Sequence, residues 1–252
     1  MTNPCPSENE LSRYYQSDAY ISHSNRSATF TDRVYKVTRR FTLKWKVNLL
    51  KTHSLIPPRT ILDFGCGTGA FLRECKKNGS EIFGVEPSAV AREFAIRETR
   101  ATIWESISGP DQHYDVITLW HVLEHVPSLR QTLHKLRDLL ATNGTMFIAV
   151  PNLKSLDAEH YGKYWAAYDV PRHLWHFSPA TMQELLAQHQ LNLITTIPMK
   201  LDAYYVSLLS EKYQQGKQNI TTMTKAFTHA WRSNQKARIT GQNSSLIYIV
   251  RK

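Results

Sequence analysis

Apolar side chains recur at every third or fourth position in the first quarter of the chain. This spacing places them on one face of a helix, and it predicts an amphipathic helix from Phe30 to about Lys51. The apolar face consists of Val34, Val37, Phe41, Trp45 and Leu49. Basic residues fill the positions between them, and the proline pair at 57–58 ends the segment.

Short apolar runs alternate with helical patterns from residue 60 to residue 151. Ser88 is expected to cap a helix that runs to about Thr99, and Ser128 a helix that closes at the Asn143-Gly144 pair. The runs themselves have the length and composition of buried strands. They cover residues 60–64, 82–85, 101–104, 115–120 and 145–150. Parallel neighbours need crossover helices, so the alternation predicts an open parallel sheet with helices on both faces.

The pattern changes after Pro151. Residues 152–177 are rich in Tyr, Trp and His and show no clean period, whereas Ser178-Pro179 is a typical helix start. Two further strand-like runs lie at 191–197 and 245–250. We therefore expect an N-terminal helical arm over residues 1–58 and one α/β domain over residues 59–252, with an insertion at about 152–177.

Composition and charge narrow the class of protein. The chain has 252 residues, of which 42% are hydrophobic and 21% charged, which are ordinary globular values and exclude fibrous and disordered classes. No uncharged apolar run approaches the roughly 18 residues of a membrane span, and the first ten residues lack the pattern of a signal peptide. Three cysteines without a metal-binding spacing suit a reducing compartment. These features predict a soluble, cytoplasmic protein.

The net charge of +10 is unevenly distributed. Residues 1–60 carry 10 basic and 4 acidic side chains, residues 61–152 carry 9 and 11, and residues 153–252 carry 12 and 6. The centre is therefore near neutral, while each flank has a net charge of +6. Such flanks either keep the protein in solution or attract an anionic partner, namely a nucleic acid, an acidic carrier protein or an anionic lipid surface.

A glycine turn follows the first predicted strand. Gly65, Gly67 and Ala70 satisfy the dinucleotide pattern G-x-G-x-x-G/A, and Glu86 lies where a ribose-binding carboxylate is expected, so NAD has to be considered. Asp63, two residues before the first glycine, together with Gly69 favours a cofactor other than NAD. The segments 63–69, 84–88, 114–126 and 144–151 resemble four successive motifs of the class I, S-adenosylmethionine-dependent methyltransferases.

This resemblance implies a fold and a cofactor. The fold is a Rossmann-like, doubly wound α/β sheet of seven strands, mostly parallel with an antiparallel last strand. An N-terminal helical lid and an aromatic insertion after the fifth strand complete it. The cofactor is S-adenosyl-L-methionine, which leaves as S-adenosyl-L-homocysteine.

The resemblance also assigns cofactor-binding roles. Glu86 accepts both ribose hydroxyls, because one carboxylate can hold two donors, and the turn backbone contacts the methionine portion. Asp63 either orders the turn by accepting its N–H groups or meets the amino group of the ligand. Tyr20, in the predicted lid, reaches the methionine carboxylate or only packs the arm. The full predicted set is Tyr20, Asp63, Gly65, Cys66, Gly67, Glu86, Pro87, Glu105, Ser106, Ile107, Trp120 and His121.

Different residues of that set are expected at the adenine end and at the methyl end of the cofactor. Pro87 and Ile107 are expected to sandwich the adenine, and Glu105 or the Ser106 backbone to meet its polar edge. Trp120 and His121, at the carboxyl end of the fourth strand, are expected near the transferable methyl group.

Histidines and aromatic residues predict the acceptor side. An acceptor that holds a proton benefits from a nearby base, and the predicted catalytic residues are His121, His125 and His173. Residues 169–177 resemble a subgroup with a D-x-P-R-H-x-x-x-F signature. The predicted substrate-binding residues are Tyr161, Trp165, Arg172 and His176. The alternatives are that the aromatic residues form core and that Arg172 pairs with Asp169.

Residues 121–125 also satisfy the inverted zinc-peptidase pattern H-x-x-E-H. The required long helix has no room there, because the motif follows a strand and meets Pro127. In quinone-type O-methyltransferases the corresponding loop can bind a divalent cation through acidic residues and a histidine. His121 stands where such a loop would have a carboxylate, so the metal content is left open.

The function expected from these features is methyl transfer from S-adenosylmethionine to a small-molecule or carrier-borne acceptor, with oxygen favoured as the methylated atom. Two alternatives stay open: a nucleic-acid or protein methyltransferase that uses the basic flanks, and a cofactor-binding protein without catalysis.

Overall fold

The computed structural model describes residues 1–4, 6, 10, 12–15, 30–217 and 219–252. At positions 12, 15 and 30–40 it describes the backbone only. The helices are α1 Phe30–His53, α2 Ala70–Lys77, α3 Ala89–Thr99, α4 Leu129–Leu139, α5 Leu156–Tyr161, α6 Pro179–Gln188, α7 Asp202–Gln215 and α8 Ile220–Thr240. The strands are β1 Thr60–Phe64, β2 Glu81–Val85, β3 Thr102–Trp104, β4 Tyr114–Trp120, β5 Leu140–Pro151, β6 Asn192–Pro198 and β7 Ser245–Arg251.

The seven strands form one sheet in the order β3-β2-β1-β4-β5-β7-β6. Strand β1 pairs in parallel with β2 and with β4, and β2 pairs in parallel with β3. The last strands are antiparallel, and helices flank the sheet. The prediction of a doubly wound, mostly parallel α/β sheet is therefore confirmed.

Buried aliphatic side chains explain why these runs become strands. Ile61 and Leu62 in β1, and Val116, Ile117 and Leu119 in β4, are each at most 1% exposed. A strand that is apolar on both faces can only lie inside a sheet covered on both sides.

The chain divides into two compact units. One comprises residues 1–6, 120–129 and 148–250, and the other residues 7–119, 130–147 and 251–252. The glycine turn and Glu86 belong to the second of these, and the histidine-rich segments to the first. The boundary at residue 58 between an arm and a domain stays a prediction.

The Asn143-Gly144 pair does not close a helix, contrary to the expectation. Helix α4 ends at Leu139, and β5 begins at the next residue and contains the pair. A Cβ on Gly144 would lie 2.8 Å from Leu140 Cδ1 and 3.0 Å from Ala141 O. This glycine therefore permits a close approach of the chain to itself rather than the left-handed turn that ends many helices.

Two long helices between β6 and β7 were not predicted, although Asn219 caps the start of α8 and Gly216 and Gly241 end α7 and α8. Helices α7 and α8 present both apolar and polar residues to solvent, so their periodicity is weak. Within the insertion, α5 is followed by two short 3-10 helices at Gly162–Tyr164 and Ala166–Tyr168. Among the described helices, none is long and apolar enough to cross a membrane.

Gly69 combines a left-handed backbone with a crowded Cβ position. Its φ is +73°, and a Cβ there would lie 2.9 Å from Thr99 Cγ2 and 3.1 Å from Ala95 Cβ. We expect Gly69→Ala to lower the free energy of unfolding by about 2–4 kcal/mol, through left-handed strain and overpacking together. Urea denaturation measures it.

Gly79→Ala is the matched control, because Gly79 has φ +89° and a Cβ there would meet nothing within 4 Å. Gly79→Ala is expected to lower the free energy of unfolding by about 1–2 kcal/mol, which is the left-handed strain alone. Equal losses in the two variants would show that α3 does not pack against Gly69 as described.

Candidate functional site

The glycine turn after β1 is tied to the end of β2. The N–H groups of Gly65 and Cys66 donate to Val85 O at 2.7 and 3.1 Å. Gly65 and Gly67 have φ of +77° and +53°, a region that glycine enters without steric cost. A Cβ on Gly67 would meet nothing within 4 Å, so the turn backbone faces open space at this residue.

The Glu86 carboxylate also holds the glycine turn in place. Its Oε2 accepts the Gly67 N–H at 2.8 Å and its Oε1 accepts the Ser88 N–H at 2.9 Å. The residue is 4% exposed, and burial raises the pKa of its carboxyl, while the two N–H groups and Arg92 oppose that rise. Each oxygen retains acceptor capacity, since a carboxylate oxygen can take more than one donor.

Arg92 joins the two segments in which the adenine-side residues were predicted. Its Nη1 donates to Glu86 O at 2.8 Å and to Pro87 O at 3.0 Å, and its Nη2 lies 3.4 Å from the exposed Glu105 carboxylate. The sequence reasoning missed this residue, although a basic side chain one turn into α3 is a recognisable signal.

The loop that holds Ser106 and Ile107 folds against Trp104. A Cβ on Gly109 would lie 2.2 Å from Trp104 Cδ1, and the Gly109 N–H donates to Ser106 O at 3.1 Å. Ser106 is exposed and Ile107 is half-buried. Contact of either with a cofactor stays a prediction.

Asp63 does not order the turn by accepting its N–H groups, which was one of its two predicted roles. The N–H groups of Gly65, Cys66 and Gly67 all go to Val85 or Glu86, and Asp63 Oδ1 instead accepts the Thr118 hydroxyl at 2.6 Å. Burial raises the pKa of Asp63 to about 7, with Thr118 opposing the rise. Its contact with an amino group of a ligand stays a prediction.

This cradle fits S-adenosylmethionine. A buried carboxylate held by two backbone N–H groups can accept the hydroxyls of a ribose, and the open side of Gly67 admits a ligand against the backbone. Trp120 is half-buried directly after Leu119, and its contact with the cofactor stays a prediction. Tyr20 lies outside the described residues.

His121 lies between two carboxylates in the other compact unit. Its φ is +57° and its N–H donates to Ala149 O at 3.0 Å. Its Nε2 is 2.8 Å from Asp202 Oδ2, and its Nδ1 is 3.4 Å from Glu124 Oε1. Burial alone would lower the pKa of His121, but Asp202 and Glu124 raise it to about 10. The ring is therefore a cation at neutral pH.

Glu124, His125 and His173 converge in the same unit. One ligand atom of each lies within 4.8 Å of the others, and the two imidazoles meet edge to face with centroids 4.4 Å apart. Nδ1 of His125 is 3.1 Å from Arg172 O, and Nδ1 of His173 is 2.8 Å from Ala167 O. A carbonyl only accepts, so each Nδ1 carries the proton and each Nε2 the lone pair.

The charge state of this cluster differs from that of His121. Burial lowers the pKa of His125 and His173, against the attraction of Glu124, so both rings are neutral. Glu124 is 1% exposed, and neither of its oxygens has a hydrogen bond within the described part of the chain. Burial alone would raise the pKa of Glu124, but His121 lowers it.

Backbone hydrogen bonds bring the insertion to this cluster. The N–H groups of Leu174 and Trp175 both donate to Glu124 O, at 2.8 and 3.1 Å, and Trp175 Nε1 donates to Val126 O at 2.7 Å. This pairing joins residues about fifty positions apart, and no local pattern in the sequence indicates it. Asp202 was missed for the same reason.

The predicted substrate-binding residues are held by the protein itself. Arg172 donates twice to Asp169 Oδ1, at 2.6 and 3.1 Å, as the alternative prediction had it. His176 Nε2 is 3.1 Å from Thr2 Oγ1. Tyr161 and Trp165 are each 2% exposed, in a cluster with Ala166 and Val206, and Trp165 Nε1 donates to Asp157 at 3.0 Å. The structure gives these residues packing roles, and their contact with an acceptor stays a prediction.

Comparison with known sequences identifies the family. A family model described as a methyltransferase domain matches residues 36–196. The ubiquinone biosynthesis O-methyltransferase of Aeromonas salmonicida is 32% identical over 104 residues, which are 37% of this chain and 44% of that relative. The matched region thus spans less than half of that relative.

Solved structures share the fold at low identity. The magnesium protoporphyrin IX methyltransferase of Synechocystis, crystallised with S-adenosylhomocysteine, is 14% identical with a TM-score of 0.63, over 98% of this chain and 100% of that one. The geranyl diphosphate C-methyltransferase of Streptomyces coelicolor is 14% identical with a TM-score of 0.61, over 99% of each chain. With the family match and the cradle around Glu86, these likenesses show that the chain belongs to the methyltransferase domain family, in its class I, S-adenosylmethionine-dependent form.

Proposed function

We propose that this chain methylates a hydroxyl of a small-molecule or carrier-borne acceptor. The observation that carries the proposal is the Glu86 carboxylate, buried and held by the N–H groups of Gly67 and Ser88 beside an open turn. The ubiquinone biosynthesis O-methyltransferase relatives support oxygen as the methylated atom. When bound, S-adenosylmethionine supplies an electrophilic methyl group on a sulfonium.

The chain's own part on the donor side is to bind and orient. Glu86 presents acceptor atoms for two hydroxyls, and its own backbone is fixed through Arg92. Two hydroxyls on one carboxylate set both the position and the rotation of the sugar. Orientation of this kind supplies much of the rate of an in-line displacement.

On the acceptor side the chain supplies a base. The acceptor hydroxyl must lose its proton as its oxygen forms the new bond, and a neutral imidazole nitrogen can accept that proton. Among the three predicted catalytic histidines, His125 and His173 are neutral and suit this role. His121 is a cation, so we assign it an electrostatic role in holding Glu124.

The Glu124–His125–His173 cluster also has the donor set for a divalent cation. Both rings donate Nδ1–H to a backbone carbonyl, which is how metal-binding histidines are usually oriented, and both Glu124 oxygens lack a hydrogen bond in the described residues. A cation held there would acidify a bound hydroxyl. The positively charged His121 ring lies 3.4 Å from Glu124 and would repel a cation bound there. We therefore favour the histidine base.

The experiment that tests the proposal is methyl transfer from isotope-labelled S-adenosylmethionine. Pure protein is incubated with phenols, catechols, carboxylic acids and amines, and with fractionated cell extract, and the labelled products are identified by mass spectrometry. Label on oxygen of a small molecule is the expected result. Donor binding without transfer to any fraction would favour a non-catalytic protein. Label in RNA or protein, with steep salt dependence, would assign the role to the basic flanks.

Replacing Glu86 by glutamine should weaken the binding of S-adenosylmethionine. The variant loses charge-assisted hydrogen bonds worth about 1–3 kcal/mol, so the dissociation constant should rise about 5- to 150-fold. Calorimetric titration measures it. The control is Glu81→Gln at the exposed start of β2, which should bind as the wild type does. An unchanged constant in Glu86→Gln would remove the assigned role.

Replacing His173 by glutamine should lower kcat by about 10²–10⁴-fold, with little change in donor affinity. The loss should shrink as the pH rises, because a more alkaline solution ionises the acceptor without help. His125→Gln tests the second ring, and His134→Gln, on the exposed face of α4, is the control. Full activity in both His125→Gln and His173→Gln would exclude a histidine base here.

Replacing Asp202 by asparagine should reduce stability in a pH-dependent way. Folding raises the pKa of His121 from 6.5 to about 10, so its stabilising effect is complete below pH 6.5 and is lost as the pH rises through 10. The difference in unfolding free energy between wild type and Asp202→Asn should thus be largest near pH 6 and shrink towards pH 10. Urea denaturation across this range measures it.

Asp138→Asn is the control for that series, because Asp138 makes an exposed ion pair of 3.5 Å with His134. Such pairs contribute little. A constant difference for Asp202→Asn over the whole range would contradict the protonated state assigned to His121.

A further inference from the structure

His160, Glu211 and His229 form a second cluster of ligand-type side chains, which shares no residue with the Glu124–His125–His173 cluster. They come from α5, α7 and α8 respectively, and one ligand atom of each lies within 4.8 Å of the others. We propose that the His160–Glu211–His229 cluster binds a divalent transition-metal ion, zinc or an ion of similar ligand preference. The site would join these three helices.

Glu211 is the residue that most needs a partner. It is 3% exposed, its Oε1 lies 3.4 Å from the Tyr161 hydroxyl, and its Oε2 has no hydrogen bond among the described residues. A buried carboxylate oxygen without a partner is costly, and folded proteins rarely leave one so. A bound cation would satisfy it.

The two imidazoles lie side by side near Glu211. The rings of His160 and His229 are stacked, with centroids 3.7 Å apart and planes 25° from parallel. Their in-plane lone pairs are therefore nearly parallel, and one ring must turn before both nitrogens can meet the same ion. His160 is exposed and can make this rotation.

The donor set selects the class of ion. Two imidazole nitrogens and one carboxylate oxygen suit zinc and neighbouring transition metals, whereas magnesium and calcium prefer oxygen alone. Bonds of roughly 2.0–2.2 Å place the ligand atoms of a tetrahedral zinc site about 3.4 Å apart. Ligand atoms that lie within 4.8 Å of one another must therefore approach by at most about 1.4 Å, and the exposed His160 side chain can provide this movement. Three protein ligands leave a fourth position for water.

The position of the site gives it a structural effect. Helix α5 belongs to the insertion after β5, and α7 and α8 lie between β6 and β7. A metal ion held by all three would fix the insertion to these helices. Binding to the folded chain alone would then raise its stability with metal concentration.

Metal titration of the metal-free full chain tests the proposal. Zinc binding is followed by calorimetry, and cobalt binding by its visible absorption. His160→Ala and His229→Ala should each bind one equivalent fewer than the wild type, and Glu211→Gln should bind that equivalent more weakly. The zinc-dependent rise in Tm should disappear in the same variants.

Two controls separate this cluster from other ligands. His134→Ala removes an exposed histidine, and His173→Ala removes a ligand from the Glu124–His125–His173 cluster. Both variants should still bind the zinc equivalent that is assigned to the His160–Glu211–His229 cluster. Because His160 is exposed, His160→Ala carries the test even if Glu211→Gln fails to fold. No zinc uptake by the wild type, or unchanged stoichiometry and affinity in His160→Ala and His229→Ala, would overturn the proposal.

Discussion

A single buried carboxylate organises the turn after β1 and the start of α3. The two oxygens of Glu86 take N–H groups from the turn after β1 and from the start of α3, while the backbone carbonyl of the same residue accepts from Arg92. The turn after β1 and the start of α3 are thereby both fixed to the end of β2. Backbone N–H groups favour the charged form of the carboxyl against the cost of its burial. The acid proposed to hold the ribose is thus also the acid that shapes its surroundings.

The second unit shows how neighbouring histidines acquire different charges. His121 faces Asp202 and Glu124 and stays protonated, whereas His125 and His173 face backbone carbonyls and stay neutral. All three rings have carboxylates nearby, and the difference lies in the balance with burial: Asp202 and Glu124 outweigh the burial of His121, whereas burial outweighs the attraction of Glu124 and Asp169 at His125 and His173. Environments that push the pKa values of adjacent groups apart are typical of acid–base sites. The contrast between His121 and its two neutral neighbours has that character.

The glycine turn after β1 could be predicted from sequence because its signal is local: Gly65 and Gly67 stand where the backbone takes a positive φ. The contact of Glu86 with a ligand stays a prediction. The sheet was predictable for a similar reason, since buried strands such as β1 and β4 are apolar throughout. The Asn143-Gly144 pair led to a wrong helix end because a glycine can permit a close approach of two parts of the chain as well as end a helix.

The rest depends on contacts between distant segments. Asp202 meets His121 across eighty positions, and His173 reaches His125 only because residues 174–175 bind the backbone of Glu124. Helices α7 and α8 were missed because their exposed faces carry apolar side chains such as Phe227 and Trp231, which blur the helical period. Such features are set by tertiary packing and leave little trace in local sequence.

Cys66 lies within the glycine turn, and its surroundings decide how the turn responds to oxidants. It is 7% exposed, and a Cβ on Gly84 would lie only 2.7 Å from its Sγ, so the sulfur fills the space that a side chain there would need. Burial raises the pKa of the thiol, which keeps it protonated and a poor nucleophile. Peroxide and alkylating reagents should therefore spare this sulfur while the chain is folded. Any adduct formed on an unfolded chain would block refolding of the turn.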